Sequence, residues 1–310
     1  MKKTFLVTGG TGFIGSNICK MLLKKGHKVV IFDNNSRGCL KKINNIKKKI
    51  IFIKGDIRNK AKVFKSLKNI DAVIHLAYVN GTKFFYTKPQ LILDVGINGL
   101  INVIDGCIKN RIKELYLASS SEVYQTPKIV PTKEDEMLKI PDIYNPRYSY
   151  GGGKILTELM GINYGKKFFK RLIIFRPHNV YGPDMGNEHV IPEFINQMKN
   201  KKNFFYIKGT GNEKRSFIFI DDFVNAFELI IKKGKHLNIY NIGTSELIKI
   251  KKLAYKIGSI MKKKIILKSR SIAKGGTIIR CPDISKIKKI GFKQKFSLSE
   301  GLVKTIEWYK

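Results

Sequence analysis

Cysteine is scarce in this 310-residue chain. The four present, Cys19, Cys39, Cys107 and Cys281, stand far apart, form no CxxC pair and have no histidine at metal-ligand spacing. That pattern argues against a disulfide framework or a zinc site, and no metal is expected. A reduced, cytoplasmic setting is expected instead. Long apolar runs are also lacking: none approaches the roughly 18 uninterrupted residues of a membrane span, so no membrane partner is expected. The opening MKKTFLVTGG has a basic start, but its apolar run is too short for a signal segment and ends in Gly9-Gly10, so it reads as a first strand. Acidic residues are few, 23 against 60 lysines and arginines, which leaves a formal charge of +37. Such a charge invites a nucleic-acid reading. The lysines are nevertheless spread in short clusters such as KKINNIKKK (41–49), with no interleaved aromatics and no recognition-helix pattern. A solvated surface set by compositional bias is the expected reading, a field drawing in phosphorylated substrates the second, and nucleic acid is not expected as a partner.

What the chain does have is rhythm. Nearly continuous apolar runs at 4–8, 28–32, 50–54, 72–77, 114–119 and 171–176 alternate with amphipathic stretches at about 13–25, 60–68, 90–109 and 147–166. This is the order of strands and crossover helices in a doubly wound parallel sheet covered on both faces, an α/β class. After Pro177 the rhythm breaks into shorter segments without a repeat or linker. The spacing predicts a nucleotide-binding unit over 1–177 and a smaller lobe over 178–310, with some exchange of chain between them.

At the first strand-to-helix turn, TGGTGFIGS places Gly9, Gly12 and Gly15 around Phe13 and Ile14, and Asp33 with Asn34 ends the second strand. Glycines there let the backbone approach a pyrophosphate at a helix N-terminus, and an acidic residue about 20 positions on accepts hydrogen bonds from the adenine ribose. Asp33 would repel a 2′-phosphate, which favours NAD over NADP, although Arg37 lies close by. Asp56 and Ile57, after the third strand, are placed to flank an adenine.

Tyr150 and Lys154 stand four apart on a predicted helix and so share a face. Tyrosine, with an ordinary pKa of about 10, is a poor base near neutrality, and a neighbouring ammonium would stabilise its phenolate. Tyr148 is six residues from the lysine, on another face. Asn145 is the expected N-cap and Pro146 the first helical residue. The glycines at 151–153 are expected to leave room beside Tyr150 for the cofactor and a substituent of the substrate.

The glycine loop, HLA at 75–77, SSSEVY at 119–124, the Tyr150/Lys154 pair, RPHNVYGP at 176–183 and RSFIFIDD at 215–222 together resemble the extended short-chain dehydrogenases/reductases, the NAD-dependent epimerase/dehydratase family that modifies nucleotide sugars. The resemblance implies Tyr150 as base, Lys154 as its electrostatic partner, Ser120 as hydroxyl clamp and Glu122 as a second acid/base. It places Leu76 and Ala77 at the cofactor, and Ser121, Glu122, Asn179, Arg215 and Arg280 at the substrate. Arg176 and Tyr181 would meet nicotinamide and substrate, and residues 189–195 would form a lid. His178 is not expected to be catalytic, and His75 is expected to be a packed strand end. Dehydrating relatives carry Asp-Glu where this chain has Ser121-Glu122, while SEVY with PRYSYGGGK looks closest to the UDP-glucuronate decarboxylase branch. Gly96 stands where relatives carry an active-site asparagine, with Asn98 two residues on. The expected function is 4-epimerisation of a nucleotide sugar, with a net 4-dehydrogenase or a decarboxylase as alternatives and a non-catalytic dinucleotide- or RNA-binding protein as a remote one. A homodimer is expected through the helices at 90–109 and 147–166.

Overall fold

The computed structural model describes residues 2–199, 204–271 and 275–310. Strands β1 (Thr4–Thr8), β2 (Lys28–Asp33), β3 (Ile50–Lys54), β4 (Ala72–His75), β5 (Glu114–Ala118) and β6 (Arg171–Pro177) form within two residues of the expected spans. Between them run helices α1 (Phe13–Lys24), α2 (Lys60–Ser66), α3 (Thr82–Thr87), α4 (Pro89–Lys109) and α5 (Tyr148–Phe168). Beyond Pro177 come β7 (Val180–Tyr181), α6 (Val190–Lys199), β8 (Phe204–Lys208), β9 (Lys214–Ser216), β10 (Ile218–Phe219) and α7 (Ile220–Lys233), leading to β11 (Ile239–Ile242). The chain ends with β12 (Leu247–Lys249), α8 (Ile250–Ile260), β13 (Ile266–Arg270), β14 (Ile279–Arg280), α9 (Ser285–Lys289) and α10 (Leu298–Tyr309).

The main sheet is seven-stranded and parallel in the order β3-β2-β1-β4-β5-β6-β11. Its strand order reverses between β1 and β4, and such a switch point opens a crevice at the carboxyl ends of the strands. The seventh strand comes from beyond Pro177, and α7 from the same stretch packs Phe223 and Phe227 against Phe175 of β6. The sheet therefore draws chain from both sides of residue 177.

Alternate residues of each continuous apolar run enter different cores, because successive side chains of a strand point to opposite faces. Phe5, Val7, Ile31, Ile74 and Phe175 join the core under α1 and α7, whereas Leu6, Val30, Val73, Leu117 and Ile174 join the core under α2, α4 and α5. The lysine cluster at 40–49 is a 3-10 segment with Ile43 and Ile46 buried, Lys41, Lys47, Lys48 and Lys49 exposed and Lys42 paired with Asp184. Among the described residues one helix, α4, is long and apolar enough to cross a membrane by length and composition (mean hydropathy 1.6), and half of that window is buried in the fold.

Helix α5 begins at Tyr148, later than the expected cap at Asn145 and first turn at Pro146. Residues 145–147 form a lead-in turn instead: the Asn145 side chain accepts the Arg147 N–H at 3.1 Å, and the Tyr148 N–H reaches the Asn145 carbonyl at 3.0 Å.

Candidate active site

Two cavities meet at the switch point, of about 470 Å³ and 230 Å³, sharing Gly9, Gly12, Leu76 and Tyr78 in their walls. The larger brings together Phe13, Ile14, Gly15, Ser120, Ser121, Glu122, Tyr150, Lys154, Asn179, Arg215 and Arg280. The smaller holds Asp33, Asn34, Asp56, Ile57 and Ala77.

The loop after β1 is shaped to bring backbone to a ligand. Gly9 adopts φ +71°, and a Cβ there would lie 2.9 Å from the Ala77 nitrogen. Helix α1 starts at Gly12 with no side-chain cap, so its first-turn N–H groups are left for whatever the cavity holds. Asp33 accepts the Thr11 N–H at 3.0 Å through one oxygen and the Asn35 N–H at 2.8 Å through the other, which fixes a carboxylate at the cavity edge with lone pairs to spare. Asp56 takes Arg58 and the Asn34 amide, and the Arg58 hydrogen bond holds its carboxyl down at about 2. Arg37 is turned away from Asp33: it pairs with Glu188 at 2.7 Å and lies over the Phe84 ring. The glycine cradle, the uncapped helix end and the Asp33 carboxylate fit a dinucleotide with a free 2′-hydroxyl, and Arg37, which lines the same cavity, is held by Glu188.

At the end of β5, Ser120 caps the 3-10 turn Ser121–Tyr124 by accepting the Glu122 N–H at 3.1 Å. Ser120 also faces Tyr150 in the larger cavity, where its hydroxyl favours the ionised phenol. Burial still pushes the Tyr150 phenol well above its ordinary value, and the Ser120 bond and the Arg280 charge offset only part of that. The expected electrostatic partner, Lys154, lies 5.9 Å from the centre of the Tyr150 ring. The Lys154 ammonium donates to the Ala118 carbonyl at 2.7 Å and sits 3.8 Å from the centre of the Tyr78 ring, and burial pulls it down to about 7.

Glu122 does not offer the free carboxyl expected of a second acid/base. It pairs with Arg280 at 2.8 Å and with Arg147 at 3.6 Å. Burial favours its neutral form, but these guanidinium groups outweigh burial and hold it below the ordinary carboxylate range. Arg215 donates to the carbonyls of Lys214, Thr277 and Ile278, and burial lowers it to about 10. Asn179 donates to the Ser216 carbonyl at 2.8 Å, and Tyr181 to the Leu298 carbonyl at 3.2 Å.

Arg176 does not reach the cavity. It lies buried beneath it, bonded to both oxygens of Glu158 at 2.8 and 2.6 Å and to the Tyr124 hydroxyl at 2.6 Å. Tyr124 and His178 both donate to Asn241 Oδ1, at 2.8 and 3.1 Å, so this network braces the floor of the site. His75 bonds Thr8 at 2.8 Å; burial lowers it and His178 to about 3, so both are neutral packed residues.

The room expected over the glycines of α5 is filled by this chain itself. A Cβ at Gly151 would overlap the Gln125 amide, one at Gly152 would lie 3.0 Å from Ile140, and one at Gly153 would overlap the Tyr78 hydroxyl. A Cβ at Gly96 would overlap the same hydroxyl from α4, whereas Asn98 points away to Asp94 at 2.7 Å. Sequence reasoning missed Tyr78, Phe85 and Arg147, which all line the larger cavity. The available signal was Gly96, which departs from the resembled pattern, beside the glycines of α5: together they leave the space that Tyr78 fills.

Residues 5–243 match the model of the NAD dependent epimerase/dehydratase family. The chain belongs to that family. A dTDP-D-glucose 4,6-dehydratase of Dictyostelium discoideum is 34% identical over 257 residues, 77% of this chain and 58% of that protein, so the chain spans less than two thirds of that relative. A putative UDP-glucose 4-epimerase of Methanocaldococcus jannaschii is 31% identical and a UDP-N-acetyl-alpha-D-glucosaminuronate decarboxylase of Bacillus cytotoxicus 30% identical, covering 98% and 100% of this chain and 98% of each relative. The UDP-glucose 4-epimerase of Thermotoga maritima, solved with UDP-glucose, superposes with a TM-score of 0.90 at 27% identity over 99% of this chain and 98% of that one. The family is NAD-dependent and acts on nucleotide sugars, and the relatives divide among epimerases, dehydratases and decarboxylases.

Proposed function

We propose that this family member is a nucleotide-sugar 4-epimerase. The observation that carries the reading is the pairing of acids around the Ser120–Tyr150 pair. Of the described residues lining the larger cavity, the acidic ones are Glu122 and Glu188, and each is in an ion pair, with Arg280 and with Arg37. The site thus offers a proton acceptor for a sugar hydroxyl but no free carboxylic acid to expel one, which disfavours dehydration. Decarboxylation is the second reading: Arg147, Arg215 and Arg280 line the same cavity and Glu122 balances one of their charges, which leaves cationic groups for a uronate carboxylate as well as for a diphosphate.

In this reading Ser120, held by the Glu122 N–H, clamps the 4-hydroxyl, and Tyr150 accepts its proton as the carbon is oxidised. NAD, when bound, supplies the hydride acceptor and a positive charge near the phenol. Tyr150 would return the proton when the hydride held by the cofactor goes back to the ketone's other face, so no electrons are lost overall. The Nε atoms of Arg147 and Arg280 are buried without a partner, and these spare donors suit an anionic group such as the diphosphate. Leu93 of α4 and Leu159 of α5 are exposed, in keeping with a homodimer through these helices, testable by sedimentation.

Incubation with UDP-, GDP-, CDP- and dTDP-sugars, followed by mass spectrometry and NMR, tests the proposal. Inversion at carbon 4 with unchanged mass is expected. Loss of carbon dioxide, of water or of two hydrogens would each replace the reading with another. Tyr150→Phe should lower kcat by about 10²-fold or more.

A further inference from the structure

Tyr78 follows β4 directly and lies in the wall between the two cavities. Its ring has two neighbours that bear on the reaction. The Lys154 ammonium stands over one face at 3.8 Å, and Tyr150 meets the ring edge-on, with centroids 5.2 Å apart and planes at 85°. Phe85 stacks on the other side of Tyr150 at 5.0 Å. An ammonium carries three donors, and the hydrogen bond found for Lys154 is the one to the Ala118 carbonyl. In this buried setting the ring face is its second electrostatic partner.

The ring can lie there only because positions 96 and 153 carry no side chain. The Tyr78 hydroxyl is lodged between the two glycine Cα atoms, buried and without a hydrogen-bond partner. An unpaired buried hydroxyl is unfavourable, so packing and the ammonium hold the ring in place, with no help from a bond at its oxygen.

We propose that Tyr78 is a positioning residue of the reaction centre, whose ring, seated in a slot formed by Gly96 and Gly153, holds the Lys154 ammonium beside Tyr150. The proposal rests on the family's proton and hydride chemistry at Tyr150, and it is independent of which nucleotide sugar is turned over.

The charged and titratable groups facing Lys154 are Glu158 and Tyr150 from its own helix, His75 from β4 and Tyr78 after it, with Arg176 of β6 paired to Glu158. His75 is neutral near pH 7 and Arg176 is compensated by Glu158, which leaves the ring as the neighbour to vary.

The first test needs no substrate. Lysine labelled with 13C and assigned through Lys154→Met gives the titration of Lys154 by NMR in the protein as purified. Tyr78→Phe, which keeps the ring, should leave the midpoint within a few tenths of a pH unit of the parent. Tyr78→Leu should move it to lower pH, because the ammonium loses its aromatic partner. An upward move or no move in Tyr78→Leu overturns the proposal, since either means the ring only excluded water or only filled space.

The second test is steric. A Cβ at residue 153 meets the Tyr78 oxygen but clears its Cζ at 3.5 Å, whereas a Cβ at residue 96 overlaps both. Gly153→Ala should therefore lower kcat and the melting temperature, and adding Tyr78→Phe should restore most of both. The same Tyr78→Phe change should fail to rescue Gly96→Ala. Absence of rescue at 153, or equal rescue at both positions, overturns the slot. A failed nucleotide-sugar assay would undo the epimerase reading while leaving the titration and melting results to decide this one.

Discussion

Lys154 is charged in the unfolded chain up to about pH 10, yet burial lowers its folded pKa to about 7. Between these values the unfolded state binds the extra proton, so stability rises with pH. Over pH 7 to 7.5, below the ordinary cysteine pKa of about 8.5, urea midpoints should climb, and Lys154→Met should flatten the slope. Glu122 is shifted in the same direction but for the opposite reason, as a stabilised anion: its contribution is present above the unfolded carboxyl pKa and fades as pH falls through the lower folded value. Glu122→Gln leaves Arg280 and Arg147 without their counter-charge and should lower stability by about 3 kcal/mol, as breaking a largely buried pair does. Its kcat should fall far less than that of Tyr150→Phe; an equal fall would return Glu122 to the chemistry. The reach of the sequence at this scale follows from geometry. Tyr150 and Lys154 are readable because one helical turn puts both on one face. Tyr78 is not, because no spacing rule says which distant side chain will fill the space over a glycine.

Helix α10 shows how locally some elements are specified. Ser297 accepts the Glu300 N–H at 3.3 Å while Glu300 accepts the Ser297 N–H at 2.8 Å, a reciprocal cap written within four residues. Ser297→Ala should cost about 1 kcal/mol in chemical denaturation without affecting turnover. The six leading strands are legible for a related reason: each apolar run is long enough to cross the sheet and is followed by a helix that covers it. Strand β11 is hidden because it has four residues and completes the sheet only through β6, far away in sequence. Helix α5 is legible in extent but not in its reason for tolerating Gly151, Gly152 and Gly153. Packing against Gln125, Ile140 and Tyr78 gives each glycine a neighbour that any side chain would displace.

Over the whole molecule the charge of +37 is the feature whose role sequence and fold leave to experiment. A diphosphate-bearing substrate approaching so cationic a surface is attracted over roughly 10 Å at 0.1 M salt and over about 3 Å at 1 M. If the field assists capture, KM should rise with ionic strength while kcat holds; a flat KM would leave the lysines to compositional bias. Part of that charge has a structural use. Arg37 to Glu188 and Lys42 to Asp184 tie the nucleotide side of the sheet to the loop before α6, so high salt should also loosen this loop, measurable as faster amide exchange at residues 182–190.

The volume shared by residues 78, 96 and 153 bears on how such a site can change through time. A side chain gained at either glycine is harmful while Tyr78 keeps its hydroxyl and ring, and a shrunken residue 78 leaves Lys154 short of a partner until something else fills the gap. The three positions should therefore drift as a set, and an ancestor with a side chain at 153 should have carried a smaller residue at 78. Reconstructing the two single-step intermediates and comparing their fitness with that of the combined change would show whether this corner of the protein crossed a valley to reach its present form.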